Sequence, residues 1–239
     1  MATTLIVIPA FNEQESLPAV LDELRRTLPD CDALVVDDGS ADSTAAVARR
    51  HGAVVASLPF NLGIGGALRT GFRYAVLHGY DRVVQLDADG QHDPAEVKLL
   101  TATLDDGVDM AIGSRFTARE STYDVGRVRF GAMRLLRLAV LVLSGQRFTD
   151  TSSGFRAFSA PLVRFFADTY PQEYMESVEA LLLACYEGFK VVEVPVLMRQ
   201  RSAGVPSARN IRLLYHYLRL LIVMVTTAPL RSKRPRATG

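Results

Sequence analysis

The stretch that decides the fold is Thr4-Leu-Ile-Val-Ile-Pro-Ala-Phe-Asn-Glu13. A continuous apolar, β-branched run of strand length is stopped by Pro9 and opens directly into a polar loop. The same unit recurs down the chain. Ala33 to Val36 is a second buried strand ending in Asp37 and Asp38, and Ala53 to Leu58 is a third. Arg82-Val-Val-Gln-Leu86 is a fourth, ending in the acidic loop Asp87 to Asp93. Helical patterns lie between them. Ser16 to Leu28 spaces Leu17, Val20, Leu21, Leu24 and Leu28 at helical period, with acids early and Arg25 and Arg26 late, the order the helix dipole favours. Asp42-Ser43-Thr44 opens a second helix through about Arg50, and Ala67 to His78 is a third. Such alternation predicts a parallel, doubly wound α/β sheet. Ligands of these sheets bind beyond the carboxyl ends of the strands, which gathers Asn12, Glu13, Asp37, Asp38, Asp87 and Asp89 in one crevice.

The second half is less regular. Asp109 to Gly113 and Lys190 to Leu197 read as strands, and Ser177 to Tyr186 as a helix. With no repeat and no low-complexity linker, residues 1–210 read as one domain, followed by an amphipathic helix and basic tail over 211–239. A chain of 239 residues, 49% hydrophobic and 22% charged, is ordinary globular material with enough length for a real core. A net charge of +1 provides no field to recruit nucleic acid. Cys31 and Cys185 fit no metal spacing or disulfide framework and read as core or near-core thiols. No signal peptide is expected, because the apolar run Leu5 to Ile8 ends at Pro9. Leu135 to Leu143 is interrupted by Arg137, and Ile211 to Ala228 by Arg212, His216 and Arg219. Both fall short of the roughly 20 uninterrupted apolar residues that spanning requires.

The strongest chemical signal is Asp87-Ala88-Asp89-Gly-Gln91-His92. Read plainly it is a solvated acidic turn before the helix start at Asp93-Pro94. Directly after a buried strand, however, two carboxylates released into a loop can both face one hard cation, with Gln91 adding an amide oxygen. Val35-Val36-Asp37-Asp38-Gly-Ser40 places acids after the second strand, where they accept hydrogen bonds from a nucleotide's base or ribose; the same residues also suit a turn and a helix cap. Asn61-Leu-Gly63-Ile-Gly65-Gly66-Ala67 is neither a Walker A loop nor a dinucleotide fingerprint. Its glycines permit close approach to a nucleotide or tight packing.

PAFNE (9–13), VDDGS (36–40), NLGIGGA (61–67), LDADGQHDP (86–94), GSRF (113–116) and DTSSGFR (150–156) stand in the order and spacing of family 2 glycosyltransferases. Over roughly residues 3–207 the chain resembles their dolichol-phosphate mannose synthase and polyprenyl-phosphate glycosyltransferase branch. The resemblance implies the GT-A fold, a Rossmann-like nucleotide-sugar-binding domain with a mostly parallel sheet flanked by helices, and an inverting, metal-dependent transfer. By that likeness Asp87 and Asp89 form the D-x-D motif and bind Mg²⁺ or Mn²⁺ with Gln91. Pro9, Ala10, Phe11, Glu13, Val36, Asp38, Gly63, Asp87, Ala88 and Arg201 face the nucleotide sugar. Arg115 and Arg129 hold the acceptor phosphate, a task for which the guanidinium fork is suited; Asp89, or an acid near it, orients the acceptor. Glu176 and Glu179 share a helical face and read as solvated or packing residues as readily as catalytic ones.

The expected reaction moves a sugar from GDP-mannose or a UDP-sugar to a polyprenyl phosphate. A phosphate monoester has a second pKa near about 6, so the acceptor is already an anionic nucleophile at neutral pH and needs no strong base. The expected location is peripheral, at the cytoplasmic face of a membrane. Leu213, Leu214, Tyr217, Leu218, Leu221, Ile222 and Val225 form one apolar helical stripe ahead of the basic tail, and Phe130 to Leu143 is a second candidate contact. A core or dimer helix fits the stripe equally. A chain with these segments and no spanning helices resembles the short members, which use such helices or a small membrane-protein subunit. Two other readings stay open: a family 2 transferase acting on a soluble sugar or small molecule, and a non-catalytic nucleotide-sugar-binding subunit. The missing Q-x-x-R-W motif argues against a processive synthase, and the missing G-x-G-x-R loop against a nucleotidyltransferase.

Overall fold

The computed structural model describes residues 2–115, 127–172 and 176–199. Among these residues seven strands form one sheet: β1 (Thr4–Ala10), β2 (Asp32–Asp37), β3 (Val54–Ser57), β4 (Arg82–Gln85), β5 (Met110–Ser114), β6 (Arg156–Ser159) and β7 (Val191–Pro195). Their order is β3-β2-β1-β4-β6-β5-β7. All neighbours pair in parallel except around β6, which runs antiparallel to both β4 and β5. The parallel sheet expected from the alternation is therefore present with one reversed strand inserted, which makes it mostly parallel, as the family resemblance implied.

Among the described residues seven α-helices cover the sheet: α1 (Leu17–Thr27), α2 (Thr44–Arg50), α3 (Ile64–His78), α4 (Val97–Asp105), α5 (Arg127–Ser144), α6 (Ala160–Thr169) and α7 (Glu176–Tyr186). Strand alternation sorts the two faces. Leu5 and Val7 point into a core shared with α3, α5, α6 and α7; Ile6 and Ile8 point into a second core with α1, α2 and α4. Because both faces of β1 are covered, its sequence is continuously apolar rather than alternating. Each of Leu5, Ile6, Val7 and Ile8 is fully buried, and such burial contributes roughly 1.5–3 kcal/mol per side chain. The first core is closed by Phe72, Phe158, Phe166 and Tyr170, with Phe72 edge-on to Phe158 at 5.1 Å between centroids.

Three sequence expectations shift. The acids assigned to the start of α1 precede it, since the helix begins at Leu17, while Arg25 and Arg26 do occupy its last turn. α3 begins at Ile64, so Gly65 and Gly66 of the expected glycine turn are helical. A Cβ on Gly65 would lie 2.2 Å from the Pro171 carbonyl oxygen, so glycine is required there by the close passage of the 171–172 backbone. For Glu176, burial removes the solvated reading and leaves the packing and catalytic ones.

The reversed strand β6 escapes the sequence pattern because of Arg156, whose charge suggests solvent. The residue is fully buried, and its guanidinium donates to the carbonyls of Ser153, Thr151 and Ser177 at 2.8, 3.1 and 2.6 Å. Burial lowers its pKa, opposed by the neighbouring Tyr170, Glu176, Asp150 and Glu193. The arginine thus ties the loop before β6 to the start of α7. The amphipathic helix and basic tail expected over 211–239 lie outside the described residues.

Candidate active site

The carboxyl ends of the six co-directional strands open on one edge of the sheet, and the reversed β6 brings its amino-terminal loop to the same edge. The loops after β1 and β2 are laced together. Asn12, at φ 56°, donates its backbone N–H to Ser40 Oγ at 3.0 Å and accepts the N–H of Ala41 on its side-chain oxygen at 2.9 Å. Glu13 N–H donates to Thr44 Oγ1 at 2.9 Å, and Ser43 N–H to Gln14 Oε1 at 3.0 Å. The two segments that sequence singled out therefore form one rigid lip. Pro9 is half-buried and Ala10 buried at the end of β1, and Phe11 stands 47% exposed on the lip. The Glu13 carboxylate accepts the Ser16 hydroxyl. Val36 is fully buried in the core, so only its backbone faces the crevice edge.

Asp38 is buried and accepts the backbone N–H groups of Leu62 and Gly63 at 2.7 and 2.8 Å. Burial raises its pKa above the ordinary carboxylate value, and the two amides pull it back. Gly63 caps α3, so Asp38 joins the second strand's loop to that helix.

The acidic loop after β4 is equally well held. Asp87 N–H donates to His92 Nδ1 at 3.1 Å, which leaves the imidazole proton on Nε2, 3.6 Å from Asp87 Oδ2. His92 is buried and stacked on Phe155, with centroids 4.7 Å apart. Gln91 N–H donates to Asp89 Oδ1 at 3.0 Å, and Ala88 is buried. A Cβ on Gly154 would stand 3.2 Å from both Asp87 oxygens, so the loop before β6 lies directly against this carboxylate. The far side is closed by Arg199, whose N–H donates to the Gln91 carbonyl and whose guanidinium bridges Glu23 and Asp93 at 2.8 and 2.7 Å.

Among the described residues no three His, Cys, Asp or Glu side chains form a ready-made metal cluster. A magnesium-type ion needs none, because it takes one or two carboxylates and completes its octahedron with water and phosphate oxygens. Asp87, whose side chain is 31% exposed, and Asp89 offer hard oxygens two residues apart in a braced loop, a donor set that fits such an ion.

Arg115, just past β5, is ion-paired. Its Nε and Nη2 donate to the two oxygens of Asp150 at 2.7 and 2.9 Å, and its backbone N–H to Asp150 at 3.3 Å. Asp150 is fully buried, whereas the Arg115 side chain is 24% exposed. Arg129 lies in the first turn of α5, and its side chain, like Arg201, falls outside the described residues. Sequence reading passed over Asp150, Glu193, His92 and Arg156 as individual actors. For Glu193 a signal existed, since it is a lone acid in the apolar strand Val191-Val-Glu193-Val-Pro195.

Fold and crevice together define the class, a Rossmann-like α/β protein whose polar side chains gather beyond the carboxyl ends of its strands. The model of glycosyl transferase family 2 matches residues 5–169, and the chain belongs to that family. A polyprenol monophosphomannose synthase of Mycolicibacterium smegmatis is 33% identical over 228 residues, covering 87% of this chain and 83% of that protein. An undecaprenyl-phosphate mannosyltransferase of Micrococcus luteus is 34% identical over 208 residues, covering 84% and 85%. These relatives bear out the resemblance to the polyprenyl-phosphate branch. The crystal structure of glucosyl-3-phosphoglycerate synthase from Mycobacterium tuberculosis, in complex with Mn²⁺, uridine diphosphate and glucosyl-3-phosphoglycerate, matches with a TM-score of 0.71. At 22% identity over 95% of this chain and 80% of that one, it shows the fold, which is GT-A as expected.

Proposed function

We propose that this glycosyltransferase moves a sugar, mannose first among candidates, from a nucleoside diphosphate sugar to a polyprenyl phosphate. The observation that carries the reading is that the acidic loop after β4 and Arg115 after β5 lie at the same edge of the sheet, two strands apart. The first suits a donor diphosphate and the second an acceptor phosphate. The two bacterial relatives, a polyprenol monophosphomannose synthase and an undecaprenyl-phosphate mannosyltransferase, support the same class of acceptor and the same sugar.

In this reading the lip formed by Pro9, Ala10, Phe11 and Glu13, with Val36, Asp38 and Gly63, cradles the nucleotide, and Ala88 and Arg201 complete its contacts. Asp87, Asp89 and Gln91 hold Mg²⁺ or Mn²⁺, which when bound neutralises the diphosphate as it leaves. Arg115 and Arg129 seat the acceptor phosphate, with Asp89 orienting it. The phosphate attacks the anomeric carbon from the face opposite the leaving group, which inverts the centre. With a second pKa near about 6 the phosphate is already anionic at neutral pH, so the protein's task is orientation and charge, not proton removal. Among the described residues no helix is long and apolar enough to cross a membrane. Access to a membrane-held acceptor is accordingly proposed through peripheral contact at the cytoplasmic face.

The test is sugar transfer from a panel of GDP- and UDP-sugars to a short polyprenyl phosphate, with Mg²⁺, with Mn²⁺ and with EDTA. Metal-dependent, lipid-extractable label from one donor is the expected result and names the sugar. Metal-dependent donor hydrolysis with no lipid product, in the presence of membranes as well as detergent, would move the acceptor to a soluble molecule. Donor binding without turnover of any acceptor would make the chain a non-catalytic subunit.

A further inference from the structure

We infer that Glu193, on β7, is a positioning residue that sets Arg115 through Thr149 and Asp150, so that the acceptor phosphate meets a guanidinium already fixed in place. The inference rests on the reading of Arg115 as the acceptor-phosphate ligand.

Glu193 sits beside Ile112 in the register of β5 with β7. Its carboxylate accepts the Thr149 backbone N–H on both oxygens, at 2.8 and 2.7 Å, the Asp150 N–H at 2.6 Å and the Thr149 hydroxyl at 2.9 Å. Bonds from N–H and O–H donors to an ionised carboxylate are short and strong, and here four donor–oxygen contacts converge on one side chain. The Thr149 hydroxyl also lies 2.9 Å from Ser114 Oγ, next to Arg115 in the chain. The 149–150 turn is thereby clamped from β5 and β7 together. Asp150, its backbone fixed by Glu193, turns its buried carboxylate onto Nε and Nη2 of Arg115. The links from Glu193 to the turn include two main-chain donors, and the link from Asp150 to Arg115 is a two-point fork, so little rotational freedom remains for the guanidinium.

Charge alone would not select this arrangement. Two carboxylates close to a phosphate-binding arginine oppose the anion, so a site built for attraction would omit them. Their presence is explained by orientation. With Nε and Nη2 committed to Asp150, and Nη2 also within 3.5 Å of Ser152 Oγ, the plane of the guanidinium is set before a phosphate arrives, which fixes the direction of the approach. The two explanations predict opposite signs. If Glu193 acted only as a charge, neutralising it would strengthen acceptor binding; if it positions Arg115, removing it weakens acceptor binding.

The experiment uses the full chain and farnesyl phosphate as the acceptor, with Glu193→Ala, Glu193→Gln, Thr149→Val, Arg115→Ala and the Glu193→Ala/Arg115→Ala double variant. Steady-state kinetics and calorimetric titration are read for acceptor and donor separately. Glu193→Ala is expected to raise the acceptor KM about tenfold, the scale of one charge-assisted hydrogen bond, while the donor KM stays within about twofold. Glu193→Gln, which keeps one carbonyl acceptor, and Thr149→Val fall between, and they carry the test where Glu193→Ala does not fold. The double variant is expected to bind acceptor no more weakly than Arg115→Ala, because the relay acts through that residue. A folded Glu193→Ala with unchanged or tighter acceptor binding, losses that add to those of Arg115→Ala, or a fall in kcat with the acceptor KM unmoved would overturn the inference. Wild-type protein that neither binds farnesyl phosphate nor transfers sugar to it would overturn the acceptor reading and the inference together, an outcome distinct from all of these.

Discussion

Oδ2 of Asp38 lies 2.8 Å from the backbone nitrogen of Gly63, the residue that caps α3, and its other oxygen lies 2.7 Å from the nitrogen of Leu62. One buried carboxylate therefore joins the loop after β2 to the start of α3. Asp38→Ala leaves two amides without their acceptor. The expected loss is about 1–3 kcal/mol of stability, with a donor KM raised about tenfold if the cradle loosens. Urea unfolding and donor titration read the two effects separately, and an unchanged donor affinity would confine Asp38 to holding the loop.

Arg115 and Asp150 are expected to depend on each other. Removing Arg115 strands a fully buried carboxylate, so Arg115→Ala should destabilise by about 3 kcal/mol, the lower end of the range for broken buried pairs because the arginine is partly exposed. The Arg115→Ala/Asp150→Ala double variant removes both charges and should recover part of that loss. Arg115→Lys keeps the charge but not the fork, and should behave closer to alanine than to arginine in acceptor KM. Full additivity of the two single substitutions in a thermal or urea melt would count against the pair as a unit.

The sheet was legible because three of its first four strands, β1, β2 and β4, are apolar runs buried inside it, while β3 lies half-exposed at the edge. Buried on both faces, β1 must be apolar throughout, and a polar loop must follow each strand end. The D-x-D loop was visible for the same reason, as charge abruptly following a core strand. What stayed hidden depends on contacts distant in sequence. Asp150 and Glu193 stand 43 residues apart, and nothing local in either segment states that one accepts the other's backbone N–H. Arg156 carries the property that local pattern handles worst, a charge in a core strand satisfied by three carbonyls that only the folded chain brings near. His92 was quoted in its motif, yet its role, bracing Asp87 from five residues on, becomes readable only from the geometry of the turn.

Asp89→Asn keeps the shape of the loop, including an oxygen for the Gln91 N–H, and removes one negative charge. If Asp87 and Asp89 hold the ion that neutralises the donor diphosphate, transfer should fall at least about a hundredfold, in keeping with the several kcal/mol a catalytic metal supplies. EDTA should reproduce the loss in the wild type, and added Mg²⁺ or Mn²⁺ should restore it. Undiminished transfer in EDTA would remove the metal from the proposed site.

Gly65 offers a purely steric test at the crevice wall. A methyl group there would meet the Pro171 carbonyl oxygen at 2.2 Å and the Gln172 Cα at 2.7 Å, both backbone atoms that cannot rotate away. Gly65→Ala should cost about 1–3 kcal/mol through forced separation of α3 from the 171–172 segment, despite alanine's better helix propensity. A melting temperature equal to or above that of the wild type would show that the segment yields freely.

Glu176 gives the clearest pH dependence. Burial is the largest influence on its carboxyl and raises the pKa above the ordinary 4.5, only partly offset by the Ser177 hydroxyl and the Arg156 charge. In the unfolded chain the proton leaves near 4.5; in the folded protein it is held to higher pH. Between those two values the native state binds more protons than the unfolded state, so stability falls as pH rises. The contribution is fully present below 4.5 and is lost through the folded pKa. Glu176→Gln cannot ionise, yet its carbonyl oxygen can still accept the Ser177 hydroxyl that Glu176 accepts at 2.6 Å. The variant should therefore gain on the wild type as pH rises from 4.5, with the difference constant once the folded carboxyl has ionised. Urea midpoints measured on both proteins from acid to mildly alkaline pH decide the matter: diverging curves with glutamine gaining at high pH support a buried, proton-holding Glu176. Parallel curves would mean that the carboxyl titrates alike in both states and that its burial carries no charge penalty.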